Sequence, residues 1–315
     1  MSEFRHIPVL PLQVAEALAP RPGETYVDCT AGRGGHALTM ARAVGPSGTI
    51  ILNDADAGNL SAAEALVRAE GGGARVVALQ GNFASLPRRM EDAGLSADMV
   101  LADLGFSSTQ IEDAGRGFSF MRSGPLDMRF DVTRGLTAAD LVNKASEREL
   151  VRILREWGEE QASGRIARAI LEARSMAPIE TTERLAEVIR SVVGRKPGGG
   201  DPATKTFQAL RIAVNDEIGS LEALLAQISR AAENAAGASK EGRDRAGWLA
   251  GGARVCVLSF HSLEDRPVKA CFADICRRGL AVDLARGGWT ASEQEIAGNP
   301  RSRSARLRAV RLGGG

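Results

Sequence analysis

Very little in this chain of 315 residues speaks for metal or disulfide chemistry. Histidine occurs only as His6, His36 and His261, and cysteine only as Cys29, Cys256, Cys271 and Cys276. No two cysteines form a Cys-x-x-Cys pair, and no histidine cluster accompanies them. A zinc site or disulfide framework is therefore not expected; reduced, partly buried thiols are the simple reading. Also lacking is an apolar run of roughly 18 residues, so no membrane span is expected. The opening MSEFRHIPVLPLQ carries no apolar stretch of signal-peptide length, which predicts a cytoplasmic protein. Net charge is nearly absent too, at +1. Any contact with nucleic acid must then come from a local basic patch. The sequence does have the composition of a soluble globular protein, 44% hydrophobic and 25% charged. Its length suits one large or two moderate domains.

The first third alternates strands with helices. Residues 25–29 (TYVDC) form a short apolar run that enters the glycine-rich AGRGGH, and 36–44 has helical character. Residues 48–52 (GTIIL) give a second strand closed by Asn53 and Asp54, followed by a helix over 60–70. Residues 74–79 and 98–102 supply two more strands. This alternation implies crossovers, a parallel sheet and a doubly wound α/β domain. From about Gln110 to Asn215 no convincing strand appears. Leu150, Val151, Leu154 and Trp157 instead fall at helical spacing behind a Ser146/Glu149 capping box, and Leu185, Val188, Ile189 and Val192 repeat the pattern. Strand character returns at 254–260 and 306–312. The architecture expected is an α/β domain interrupted by a helical insertion after its fourth strand. The glycine- and proline-containing stretch 194–204 reads as a loop, and 235–252 as a mobile connector.

Residues 28–35 (DCTAGRGG) place glycines between a strand and a helix, where backbone can approach a nucleotide-like ligand. Asp54 ends the next strand about 20 residues later and suits both ribose hydroxyls. A dinucleotide dehydrogenase could carry the same features. The Asp-x-x-x-Gly-x-Gly spacing from Asp28, and His36 directly after the turn, favour a methyltransferase. Phe83 follows the third strand, where it would pack on a purine or belong to the core. The fourth strand ends in Asp103, at the carboxyl edge where ligands of open α/β sheets bind. Amino-group methyltransferases commonly have an acid or Asn here, two prolines and then an aromatic. Asp103 and Phe106 keep that spacing, although Leu104 and Gly105 replace the prolines. A carboxylate at this place would orient a delocalised amine and favour the charge that develops on its nitrogen, or it would hold the cofactor's methionine end.

Several blocks together, HIPVL, DCTAGRGGH, DLGFSSTQIEDAGRGFSFMRSGPLDMRFD, GEEQASGRIARAI, PATKTFQALRIAVNDE, SFHSLEDR and NPRSRSARLR, resemble the ribosomal RNA small-subunit methyltransferase H family, also called MraW. They span nearly the whole chain. The resemblance implies a discontinuous methyltransferase domain (1–109 and 216–315) with an inserted helical domain (110–215) for RNA recognition. It implies S-adenosylmethionine as cofactor and N4 of a cytidine at the decoding centre of 16S rRNA as acceptor. Carried onto this sequence, the cofactor contacts are Gly34, Gly35, His36, Asp54, Phe83, Asp103 and Gln110. The expected partner is 16S rRNA within the small ribosomal subunit, without membrane attachment, for a monomer or homodimer.

Arg116, Arg122 and Arg129, interleaved with Phe118 and Phe120, suit a splayed-out nucleotide or a packed domain junction. His261 follows the fifth strand and is a candidate for positioning substrate, or else a capping histidine. The arginine-rich tail, Arg301 to Arg311, reads as a phosphate-binding stripe or as a charged edge strand. The rival functions are a methyltransferase acting on DNA or a small molecule, and a ribosome-assembly factor with an idle cofactor pocket.

Overall fold

The computed structural model describes residues 8–194, 200–237 and 247–313. His6 and Ile7 of the HIPVL block, 195–199 of the glycine-proline loop and 238–246 of the expected connector lie outside the described residues. In chain order the elements begin with α1 (Pro11–Leu18), β1 (Thr25–Asp28), α2 (Gly35–Val44), β2 (Thr49–Asp54) and α3 (Ala57–Glu70). Next come β3 (Arg75–Gln80), α4 (Leu86–Asp92) and β4 (Ala97–Asp103). Six helices follow: α5 (Ser108–Glu112), α6 (Ala138–Lys144), α7 (Glu147–Glu156), α8 (Ser163–Met176), α9 (Thr182–Val192) and α10 (Ala203–Asn215). The chain then runs through α11 (Glu217–Gly237), β5 (Leu249–Ser259) and α12 (Ser262–Arg277). It finishes with β6 (Ala281–Asp283), β7 (Trp289–Thr290), α13 (Glu293–Gly298) and β8 (Arg306–Leu312).

Two compact units result. One comprises residues 1–105 with 218–315, the other residues 106–217. The first holds a sheet in the order β3-β2-β1-β4-β5-β8-β6, with β7 also paired to β8. Strands β3 to β5 run parallel along this path, whereas β8 is antiparallel to β5. Every residue of β1 is buried, as parallel strands covered on both faces require. Alternation then divides the strands between two cores. Tyr26, Ile50, Met99 and Leu101 join α1, α2 and α3 on one face. Val27, Ile51, Val100 and Val255 join residues of α4, α11 and α12 on the other. Because β1 sits between β2 and β4, the chain reverses its winding direction there. The carboxyl ends of β1 and β4 therefore border the crevice in which ligands of this fold class bind.

β2 and β4 end in Asp54 and Asp103 as expected, so both carboxylates stand at strand ends. Several other boundaries differ from expectation. α3 starts a turn earlier because Asp56 caps it, accepting the N–H groups of Gly58 and Asn59. The connector reading of 235–252 fails at both ends. α11 continues to Gly237, and β5 begins at Leu249 next to the buried Trp248. β8 is also not an edge strand: it bonds β5 on one side and β6 and β7 on the other. Arg308 there is clamped by Asp265 at 2.6 and 2.9 Å, which removes it from a free phosphate-binding stripe.

Another ion pair links the start of the sheet to its middle. Arg254 on β5 donates to both oxygens of Glu24 at 3.1 and 2.6 Å, and the two side chains are only 12% and 5% exposed. Burial alone would raise the Glu24 carboxyl, but the Arg254 hydrogen bonds and charge outweigh it and hold it below its ordinary value. Removing one partner strands a buried charge. Arg254→Ala is therefore expected to lower stability by roughly 3–5 kcal/mol, read as a shifted urea midpoint, and Glu24→Leu with Arg254→Met should recover most of it.

The second unit is helical. Leu150, Ile153 and Leu154 of α7, Ile166 and Ile170 of α8, Leu185 and Ile189 of α9, and Phe207 and Leu210 of α10 make its core. Their spacing by three and four residues puts each set on one helix face. Ser146 caps α7 by accepting the Glu149 N–H. Fully reciprocal capping boxes are found at Ser107/Gln110 and Thr137/Asp140.

Candidate active site

The glycine turn begins where β1 stops. Asp28, buried at the strand end, accepts the Tyr26 hydroxyl at 3.0 Å and the Thr30 N–H at 3.2 Å. Gly34 has φ 84, a left-handed conformation that disfavours side chains, and caps α2. A Cβ on Gly34 would also lie 3.0 Å from the Ala63 Cα of α3, and one on Gly35 would lie 2.6 Å from Pro8 Cγ. These glycines are thus required by close packing of the protein on itself. His36 follows in the first turn of α2 and is buried, with Nε2 3.8 Å from Asp103 Oδ2. That distance is an electrostatic contact, too long for a hydrogen bond.

Asp54 is pinned by backbone. Its Oδ2 accepts the Gly32 N–H at 2.8 Å, and its Oδ1 accepts the Asp56 N–H at 2.8 Å. These two bonds fix the orientation of the carboxylate at the strand end. Beside it, the buried Asn53 donates to the Cys29 carbonyl at 2.7 Å and accepts from Arg89 at 2.6 Å. Phe83 opens a short 3-10 turn after β3 and packs, half-buried, on the core shared with α4 and α11.

Asp103 Oδ1 is buried without a hydrogen-bond partner among the described residues. Burial pushes the Asp103 carboxyl up to about 8, and the charges of Asp28 and Glu264 add to the effect. Asp28 is raised to about 7, again chiefly by burial, although the bonds from Tyr26 and Thr30 oppose it. Neither acid has a lysine or arginine ion pair among the described residues. A carboxyl with a raised folded-state pKa stabilises the fold fully below its unfolded value and loses that contribution as pH climbs through the folded value. Asp103→Asn is therefore expected to gain stability over the wild type progressively between pH 4 and 8. Chemical denaturation at several pH values checks this. The gain should stay below the limit of about 1.4 kcal/mol per pH unit, since 19% of the Asp103 side chain remains exposed.

His261 precedes α12. Its Nε2 lies 3.1 Å from Oε1 of the buried Glu264, whose Oε2 accepts the Phe260 N–H at 2.8 Å. The imidazole gives no side-chain cap to the helix. Gln110 lies in the helical unit, where Oε1 accepts the Ser107 N–H at 2.9 Å. In the same unit Arg116 donates to the Arg129 and Phe130 carbonyls, and Arg129 forms a two-pronged pair with Asp127. Both guanidinium groups thereby shape the loop. Arg122 is exposed, and among the described residues its guanidinium makes only a 3.4 Å bond to the Glu112 carbonyl.

Sequence reasoning missed several members of these networks. Asn53, Arg89 and the Thr30 hydroxyl act through contacts between segments distant in sequence, whereas Tyr26 and the Thr30 N–H meet Asp28 only two residues away. Phe106, Phe118 and Phe130 stack in series, with centroids 5.8 and 5.5 Å apart. Arg211 covers Phe106 at 4.5 Å and is itself held by Glu217 at 2.7 and 2.9 Å. Arg211 and Glu217 both stand in the block PATKTFQALRIAVNDE, and Glu264 stands in SFHSLEDR. The motifs therefore carried a signal that was not turned into roles.

A doubly wound sheet with a glycine turn after β1, a pinned acid ending β2 and a buried acid ending β4 has the features of a Rossmann-like methyltransferase. The model of the MraW methylase family matches residues 3–239 and 243–312. Curated relatives agree with it. The Ribosomal RNA small subunit methyltransferase H of Symbiobacterium thermophilum is 45% identical, over 98% of this chain and 96% of that protein. The protein of the same name from Syntrophotalea carbinolica is 44% identical, over 98% of each. The chain belongs to the MraW methylase family, and S-adenosylmethionine is its cofactor.

The residues present fit that cofactor. Its ribose diol matches the pinned Asp54 carboxylate. Its cationic groups suit a crevice whose buried acids, Asp28 and Asp103, disfavour two negative charges side by side.

Proposed function

We propose that this protein methylates the exocyclic N4 amine of a cytidine in the decoding centre of 16S rRNA. The observation that carries the reading is Asp103. It ends β4 beside the switch point, and its buried Oδ1 makes no hydrogen bond among the described residues. Near-full-length identity of 44–45% to proteins named for small-subunit ribosomal RNA methylation supports the choice of substrate.

The chemistry asks little of the protein beyond placement. S-adenosylmethionine supplies a methyl group already activated by the sulfonium. The amine is a poor nucleophile because its lone pair is delocalised into the cytosine ring. Asp103 accepts an amine N–H, which turns the lone pair out of conjugation and favours the positive charge that develops on nitrogen. Holding donor and acceptor in line supplies most of the rate. Asp54 holds the ribose hydroxyls, while Gly34, Gly35, His36, Phe83 and Gln110 make up the remaining cofactor contacts. Residues 110–215 recognise RNA. There the exposed Arg122 meets phosphate, and Arg116 and Arg129 keep the loop in shape. His261, oriented by Glu264, positions the base.

The decisive assay uses small ribosomal subunits from cells lacking this protein, labelled S-adenosylmethionine and nucleoside mass spectrometry. N4-methylcytidine appearing only with enzyme supports the reading. Cofactor binding without label in RNA moves the substrate to DNA, protein or a small molecule.

A further inference from the structure

The place where β1 and β4 part company contains a substitution in the hydrogen-bond ladder. The two strands run in register through Asp28 and Leu101, and the last regular bond joins the Cys29 N–H to the Leu101 carbonyl at 2.8 Å. In a continuing parallel ladder the Cys29 carbonyl would next accept the Asp103 N–H. Here the chain has already entered the glycine turn, and the Cys29 carbonyl accepts from Asn53 Nδ2 instead. The Asp103 N–H bonds to the side-chain hydroxyl of Thr30 at 2.8 Å.

Thr30 is itself placed from below. Its N–H donates to Asp28 Oδ1, and Asp28 Oδ2 accepts the hydroxyl of Tyr26, whose side chain is fully buried in the core. A short chain of hydrogen bonds thus leads from the core, through the glycine turn, to the backbone of the residue that faces the reaction centre. On its other flank the end of β4 is tied by the bond of the Leu104 N–H to the Leu258 carbonyl. Asp103 is therefore held from both sides. The β1 side depends on one hydroxyl.

We propose that Thr30 is a positioning residue: its hydroxyl replaces the missing ladder acceptor and aims the Asp103 carboxylate, with Asp28 and Tyr26 holding Thr30 in place. The proposal rests on the reading of Asp103 as the group that meets the amine. Thr30 touches no reacting atom in this scheme. Its effect should appear in kcat rather than in cofactor affinity.

The test compares Thr30→Val, which keeps the shape and loses the acceptor, with Thr30→Ser, which keeps the acceptor. Asp103→Asn is measured alongside. For Thr30→Val we expect kcat to fall by about fivefold to tenfold, the weight of one hydrogen bond. The dissociation constant for S-adenosylmethionine should stay within about twofold, and exchange of the Asp103 amide hydrogen should quicken as that bond is lost. Thr30→Ser should restore both kcat and amide protection. Tyr26→Phe should shift kcat in the same direction by less. Wild-type kcat in Thr30→Val, or equal losses in the Val and Ser variants, overturns the proposal. So does a loss confined to cofactor affinity. Wild-type turnover in Asp103→Asn overturns the reading of Asp103, and the Thr30 role with it. That outcome is distinct from failure of the Thr30 variants while Asp103→Asn is inactive.

Discussion

Asp103→Ala is expected to lower kcat by roughly three orders of magnitude, the scale on which a preorganised group facing developing charge contributes. The fold should survive. Among the described contacts the carboxylate has only the 3.8 Å approach of His36, and its Oδ1 has no hydrogen-bond partner to lose. Removing a carboxyl whose burial disfavours ionisation relieves strain on the fold at neutral pH. The KM for S-adenosylmethionine should move much less than kcat if Asp103 acts on the amine. A rise in that KM with kcat preserved would place Asp103 at the methionine end of the cofactor instead. Single-turnover methyl transfer with saturating cofactor, paired with calorimetric binding, separates these outcomes. Turnover at the wild-type rate would remove Asp103 from the mechanism.

Asp54→Ala should produce the opposite pattern, with cofactor affinity down at least roughly 100-fold and kcat at saturation little changed. Two hydroxyl bonds to a charged acceptor contribute about 1.5–3 kcal/mol each. Asp54 also anchors the Gly32 and Asp56 N–H groups, so its loss loosens the turn that the cofactor meets. Uniform binding lost from ground and transition states alike raises KM and spares kcat. Isothermal calorimetry with S-adenosylmethionine and S-adenosylhomocysteine checks this, since both carry the same ribose. Equal affinity for wild type and variant would show that the ribose is held elsewhere.

Much of this protein was legible before its structure. Strands of four to seven residues, alternating with helices and rich in Val, Ile and Leu, are a local signal, and so is a glycine turn between strand and helix. Both acids at the strand ends were found because the residue that ends a parallel strand stands at the ligand edge whatever follows it. The family resemblance implies Phe83 and His36 as further cofactor contacts, where their own spacing was ambiguous.

Other features depended on pairing between distant segments. The pattern of β8, polar and apolar in turn, is the same for an edge strand as for one flanked by β5 and β6; only the partners tell them apart. Alternation reports what one strand presents to two faces, and it carries nothing about its hydrogen-bonded sides. Arg308 looked available for phosphate until Asp265, 43 residues away in sequence, proved to hold it.

The alternating order of elements, the acids that end β2 and β4 and, through the family resemblance, the cofactor class were all legible along the chain. These follow from short-range periodicity, turn chemistry and motif. Tertiary structure alone decided which acids are buried together, which arginines are already paired, and that the Thr30 hydroxyl stands in for a backbone carbonyl at Asp103. Burial and charge pairing depend on distances between segments far apart in the chain, and those distances are set only when the sheet and its two cores close.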